Sequence, residues 1–118
     1  RALGAQGMVV AEVPRFESFS TAVHRAFPDS VIRHLDPMDH NQCFSDSSLA
    51  TAFVLSWLDI SSAWYFGMDA YEFLSQLAYS IGEDKVMELW GEKIPVLQEQ
   101  LDLGRLSDFV LFVGTPSK

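Results

Sequence analysis

Cysteine is almost absent from this chain of 118 residues. Its one cysteine, Cys43, excludes an internal disulfide and favours a reducing compartment. The least charged stretch, residues 47–66, still contains Asp59 and lacks basic residues at its ends, which is not typical of a membrane span. The chain starts at Arg1 without a signal-peptide pattern. We therefore predict a cytoplasmic protein. Residues 1–6 are expected to be a linker or disordered end, and one interpretation of this end is that the chain is a piece of a longer protein.

Basic residues are missing from the middle of the chain. Between His34 and Asp84 there are eight acids and no Lys or Arg. The remaining residues carry eight acids and eight bases, so the whole net charge of −8 arises in this middle segment. Nucleic acid and anionic membranes are poor partners for such a surface, whereas a basic protein surface is a better one.

Recognised catalytic and cofactor motifs are missing as well. The sequence contains no Gly-x-Ser-x-Gly elbow, no glycine-rich phosphate loop and no paired spacing of metal ligands. We therefore predict no cofactor and no metal site, and we favour a binding role over an enzymatic one.

Apolar runs and turn residues predict one α/β domain over residues 7–118. Short apolar runs that are typical of strands occupy residues 7–13, 31–36 and 108–113. The first two flank an amphipathic segment, and a strand–helix–strand order normally joins parallel neighbours. The last run does not alternate with polar residues, which favours a strand covered on both faces. We predict a small three-stranded parallel sheet packed by four to five helices; the alternative is a mainly α domain with a minor sheet.

Residues 47–66 are expected to be the helix around which the domain packs. Apolar residues recur there at helical spacing, and we expect the helix to break near Asp59. Asp69 and Glu72 form a capping-box pattern at the start of the next helix, and Gly82 suits its left-handed end.

The leading functional hypothesis is a small protein-binding module, such as an inhibitor or immunity-type protein that covers the basic face of a nuclease or toxin. Acidic side chains would attract the partner, and exposed aromatic ones would hold it. The candidate electrostatic residues are Asp36, Asp39, Asp46, Asp59, Asp69 and Glu72. Trp64 and Tyr65 are the candidate aromatic contacts.

Two alternatives remain open at this stage. The first is a small enzyme or ligand-binding domain that uses Asp36, His40 and Cys43 at the carboxyl-end edge of the sheet. The second is a regulatory or oligomerisation domain of a longer chain, whose helices leave a large apolar patch exposed in the monomer and which could form a homo-oligomer.

Overall fold

In the computed structural model, residues 4, 6–27, 29, 38, 40 and 42–117 are described. This part of the chain contains three strands, which are β1 (Val9–Pro14), β2 (Leu58–Phe66) and β3 (Phe109–Pro116). Its five α-helices are α1 (Phe19–Ala26), α2 (Asp46–Leu55), α3 (Asp69–Ile81), α4 (Lys85–Trp90) and α5 (Ile94–Leu103). A short 3₁₀ helix, Gly91–Lys93, joins α4 to α5.

The sheet is antiparallel, so the prediction of a parallel sheet is wrong. Its order is β1-β3-β2, and β3 pairs antiparallel with both neighbours. The predicted strands at 7–13 and 108–113 correspond to β1 and β3, whereas the predicted strand at 31–36 lies outside the described residues. The prediction paired that strand in parallel with the first one. The strand–helix–strand argument therefore gave the wrong topology.

The third strand of the sheet comes from the stretch that we expected to be helical. Helix α2 ends at Leu55, and Trp57 then takes a left-handed backbone conformation with φ 58°. From Leu58 the chain is extended, which agrees with the preference of Ile, Trp, Tyr and Phe for strands. Apolar residues continue at helical spacing from α2 into β2 by coincidence. For this reason the sequence pattern did not indicate the change from helix to strand.

One face of the sheet is covered by α2. The buried core cluster consists of Leu49, Phe53, Leu58, Val110 and Phe112. Along β3 buried and half-buried side chains alternate, because residues of a strand point to opposite faces in turn. The continuous apolar run of β3 therefore does not indicate cover on both faces, and an antiparallel sheet is able to leave its second face to solvent.

The helices after β2 begin and end close to the predicted positions. Helix α3 covers Asp69–Ile81 and ends at Gly82, whose φ of 67° is left-handed as expected. The residue that caps its start is Met68, without a side-chain hydrogen bond. The carboxylate of Asp69 turns into the interior instead of capping the helix.

Candidate interaction surface

The second face of the sheet is exposed and mostly apolar. We call it the open face and define it by Val10 and Glu12 of β1, Leu111 and Val113 of β3, and Ser62 and Trp64 of β2. These residues share one face because Glu12 and Trp64 both pair with Leu111, while Val10 and Ser62 both pair with Val113. Trp64 is 66% exposed and Val10 is 56% exposed. The open face therefore presents large apolar side chains to solvent.

Two exposed acids border this apolar area. Glu12 lies on β1 beside Leu111, and Asp59 lies near the start of β2 opposite Thr115. Asp59 accepts a hydrogen bond from Ser117 Oγ at 2.8 Å, which holds its carboxylate at the end of the strand. The open face thus combines an apolar centre with negative charge at its border.

The two aromatic candidates lie on opposite faces of β2. Trp64 is on the open face, where its ring is 5.5 Å from that of Phe66. Tyr65 is half-buried on the α2 side, and its hydroxyl donates to Asp46 at 3.2 Å. The guanidinium groups of Arg15 and Arg105 lie 5.4 and 5.6 Å from the Tyr65 ring centroid. Tyr65 therefore serves internal packing, and Trp64 is the aromatic contact that a partner can reach.

The structure does not bring the candidate acids together on one surface. Asp59 is exposed, whereas Asp46 forms an ion pair of 2.6 Å with Arg15. Asp69 is fully buried, and Glu72 is half-buried with a hydrogen bond of 3.0 Å from Ser20 Oγ. The other two candidates, Asp36 and Asp39, lie outside the described residues. Of the candidate acids that the structure describes, Asp59 is the exposed one.

A buried cluster of carboxylates, which the sequence did not indicate, lies against Gly67, just after the end of β2. Asp69 and Asp108 are both fully buried. Oδ1 of Asp69 accepts from the backbone N–H of Ser20 at 3.0 Å and from its hydroxyl at 2.8 Å. Oδ2 of Asp69 accepts from the backbone N–H of Asp108 at 3.0 Å. The amide of Gln98 donates to Oδ2 at 3.4 Å and to Asp102 at 2.8 Å.

Burial and the negative charge of Asp108 raise the pKa of Asp69 to about 6, against the lowering effect of its hydrogen bonds. Gly67 closes the cluster on one side, because a Cβ there would overlap the carboxylate of Asp108 and lie 2.6 Å from Oδ2 of Asp69. No solvent reaches either aspartate, so this cluster organises α1, α3 and β3 and does not form an open catalytic site.

The alternative ligand site is only partly described. Asp36 lies outside the described residues. The ring of His40 packs edge-on against Phe109 with centroids 6.2 Å apart. Burial raises the pKa of the Cys43 thiol, which disfavours the reactive thiolate form. Within the described residues there is also no group of three or more His, Cys, Asp or Glu side chains that is arranged to hold a metal ion.

The chain matches no protein-family model and no curated protein significantly, so its function has to be inferred from its own geometry. In the described ranges of the sequence, none of the helices has the length and apolar character that a membrane crossing requires.

The sequence pointed to Trp64 but not to its neighbours on the open face. Val10, Glu12 and Leu111 are separated from Trp64 by about fifty residues of sequence and are brought beside it only by the pairing of β1 and β2 with β3. The strand-forming composition of residues 58–66 was the signal that would have revealed this arrangement.

Proposed function

We propose that this chain is a protein-binding module, of the inhibitor or immunity type, whose open face contacts a partner with a basic surface. The observation that supports the proposal most strongly is the exposure of Trp64 and Val10 on an apolar sheet face. Monomeric proteins rarely leave large contiguous apolar areas in water, and tryptophan is enriched among residues that dominate binding energy.

Charge supports a basic partner. The chain carries a net charge of −8, and no Lys or Arg occurs in α2, β2 or α3. The acids that border the open face, Glu12 and Asp59, would attract a basic surface and accelerate its association. A nuclease or toxin has such a surface where it binds nucleic acid, which fits the inhibitor role. The single cysteine favours a reducing compartment such as the cytoplasm for this role.

A display selection tests the proposal without knowledge of the natural partner. Random 16-residue peptides would be selected on the wild-type chain, and the dissociation constants of the winners would be measured by calorimetry. We expect Trp64→Ala to weaken them at least about tenfold, since buried tryptophans are typical hot spots. Trp90→Ala is the matched control, because Trp90 on α4 is 51% exposed and lies outside the proposed surface. Peptides that tolerate Trp64→Ala as well as Trp90→Ala would refute the proposal.

The electrostatic part of the proposal has its own measurement. Asp59→Lys should slow association with the selected peptides and reduce its dependence on salt. Asp84→Lys makes the same charge change at an exposed position before α4 and serves as the control. Equal effects of the two substitutions would show that only net charge matters and that Asp59 does not belong to the contact.

A second candidate function is supported by the helices. Several large apolar side chains on α4 and α5 are exposed, and the most exposed of them are Leu89, Val96 and Leu103. Such exposure fits a regulatory or oligomerisation domain in which these helices pack on another chain. Sedimentation over a range of concentrations would show self-association that Leu89→Ser weakens. A monomer at all concentrations would leave the open face as the contact surface.

A further inference from the structure

A groove runs along the outer edge of β2. Its volume is about 370 Å³, and it is lined by Ala63, Trp64 and Tyr65 on one side. Successive strand residues point to opposite faces of a sheet. A groove that all three line must therefore follow the edge of the strand and not one of its faces. The end of α5 forms the opposite wall.

The backbone along this edge is not paired with a further strand among the described residues. β2 is an edge strand that pairs with β3 alone, and among the described residues no other backbone hydrogen bond is made by residues 58–66. Proteins normally protect such edges with Lys, Pro or a covering segment. β2 contains neither Lys nor Pro, and its protection consists of Asp59, the irregular pairing between Ile60 and Ser62, and the end of α5 across the groove.

Resting on the proposed function, we infer that the partner contributes an extended segment that adds to the sheet as a fourth strand along the outer edge of β2. Its backbone would hydrogen-bond to β2, and its side chains would fill the groove. Strand addition of this kind obtains affinity from the main chain and specificity from side chains at alternate positions.

The side chains that flank the edge define the chemistry of this segment. On the open face, Asp59 and Trp64 pair with Thr115 and Leu111 of β3, which are four residues apart. A strand on the other side that follows the same spacing would place a Lys or Arg opposite Asp59 and an apolar residue opposite Trp64. On the α2 side its side chains would meet Leu103, which is 72% exposed, and Arg105. The inferred segment therefore carries a basic residue and an apolar residue that are four positions apart in its sequence.

A second copy of this chain fits the edge less well. β2 contains no basic residue to place opposite Asp59, and each copy has a net charge of −8. Like charge opposes association, so the observations favour a basic partner strand over a pair of β2 strands.

Backbone methylation of a selected peptide provides the test. The tightest peptide from the display selection would be made in two forms, N-methylated either at its odd or at its even central residues. In an added strand only alternate N–H groups point towards β2. We expect one form to bind at least about tenfold more weakly and the other to change less than about threefold. Equal effects in both forms would overturn the inference.

The outcomes separate this inference from the proposed function. If binding requires Trp64 but both methylated forms lose the same affinity, the proposed binding surface stands and strand addition is refuted. Selected peptides that do not need Trp64 would refute the proposed function itself. Self-association that Ile60→Lys abolishes, without any edge-dependent peptide, would show that a second copy occupies the edge and would also overturn the inference.

Discussion

Between α1, α3 and β3 two carboxylates are buried, whereas on the open face of the sheet a tryptophan and a valine are exposed. In the first region, Asp69 and Asp108 lie inside with no solvent contact. In the second region, Trp64 and Val10 lie on the open face. Both regions reverse the usual placement of polar and apolar side chains.

The two regions differ in whether the chain itself satisfies the unusual placement: the buried carboxylates have hydrogen-bond partners, but the exposed apolar side chains are left uncovered by the described residues. Asp69 receives hydrogen bonds from the backbone and hydroxyl of Ser20 and from the backbone of Asp108, as buried carboxylates require. The open face has no comparable cover within the described residues. The buried carboxylates are therefore satisfied by hydrogen bonds within the chain, whereas we propose that a partner covers the exposed apolar side chains.

The largest expected effect is the pH dependence of the buried pair. The pKa of Asp69 is about 6 in the folded protein and 3.8 ordinarily, so the unfolded chain loses this proton at lower pH. The stability that protonated Asp69 provides is complete below about pH 4 and is lost as the pH rises through 6. The difference corresponds to about 3 kcal/mol.

Chemical denaturation at pH 4 and pH 7 measures this effect. The free energy of unfolding of the wild type, minus that of Asp69→Asn, should fall by roughly 2 kcal/mol between the two pH values, because the unfolded chain is still partly protonated at pH 4. The same difference taken with the exposed control Asp84→Asn should stay constant. If the difference in free energy of unfolding for Asp69→Asn is also independent of pH, burial does not shift the pKa of Asp69 and the account of the buried carboxylates is wrong.

A slightly smaller effect is expected at Gly67. Gly67→Ala forces a methyl group against the carboxylates of Asp69 and Asp108, and overpacking of this kind costs roughly 1–3 kcal/mol. Gly91→Ala is a matched control, because a Cβ at Gly91 meets no atom within 4 Å and its φ of −53° is helical. That control should be neutral or stabilise by up to about 1 kcal/mol. Equal melting temperatures for the two variants would show that Gly67 does not close the cluster.

Next in size is the hydrogen bond of Tyr65 on the inner face of β2. Tyr65→Phe removes the bond to Asp46, and we expect a loss of about 1 kcal/mol in the free energy of unfolding. The control is Tyr79→Phe, because Tyr79 is 80% exposed on α3. If both substitutions leave the stability unchanged, Tyr65 does not belong to the packed side of the strand.

The smallest expected effect on stability is at Trp64, the residue next to Tyr65. Trp64→Ala should change the free energy of unfolding by less than about 0.5 kcal/mol, as is usual for exposed positions. A loss above about 2 kcal/mol would show that Trp64 supports the fold, and the loss of peptide binding in this variant would then be attributable to unfolding.

The sequence predicted the elements that local patterns specify. The positions of β1, β3 and α3 and the left-handed Gly82 follow from apolar runs, periodicity and turn chemistry. β2 was wrongly predicted as helix, because Trp57, Ile60 and Trp64 also satisfy a helical spacing. Local spacing does not decide between the two structures when the strand is short and apolar.

Local sequence patterns do not specify which strands pair or which polar side chains are buried. The antiparallel order β1-β3-β2 depends on contacts between residues that are distant in sequence. Asp69 had the pattern of a helix cap, but the approach of Ser20 and the backbone of Asp108 draws its carboxylate inward. Trp64 was a candidate contact from the sequence, whereas its neighbours Val10 and Leu111 are found only from the register of the sheet.

Chemical-shift mapping with a selected peptide is the most direct test of the central claim that a partner covers the open face and the edge of β2. Backbone amide signals of the ¹⁵N-labelled chain would be recorded with and without the peptide. The account predicts shifts along Leu58–Phe66 and at Val10 and Leu111, with α4 unchanged. Shifts confined to α3 and α4, with β2 unaffected, would contradict it.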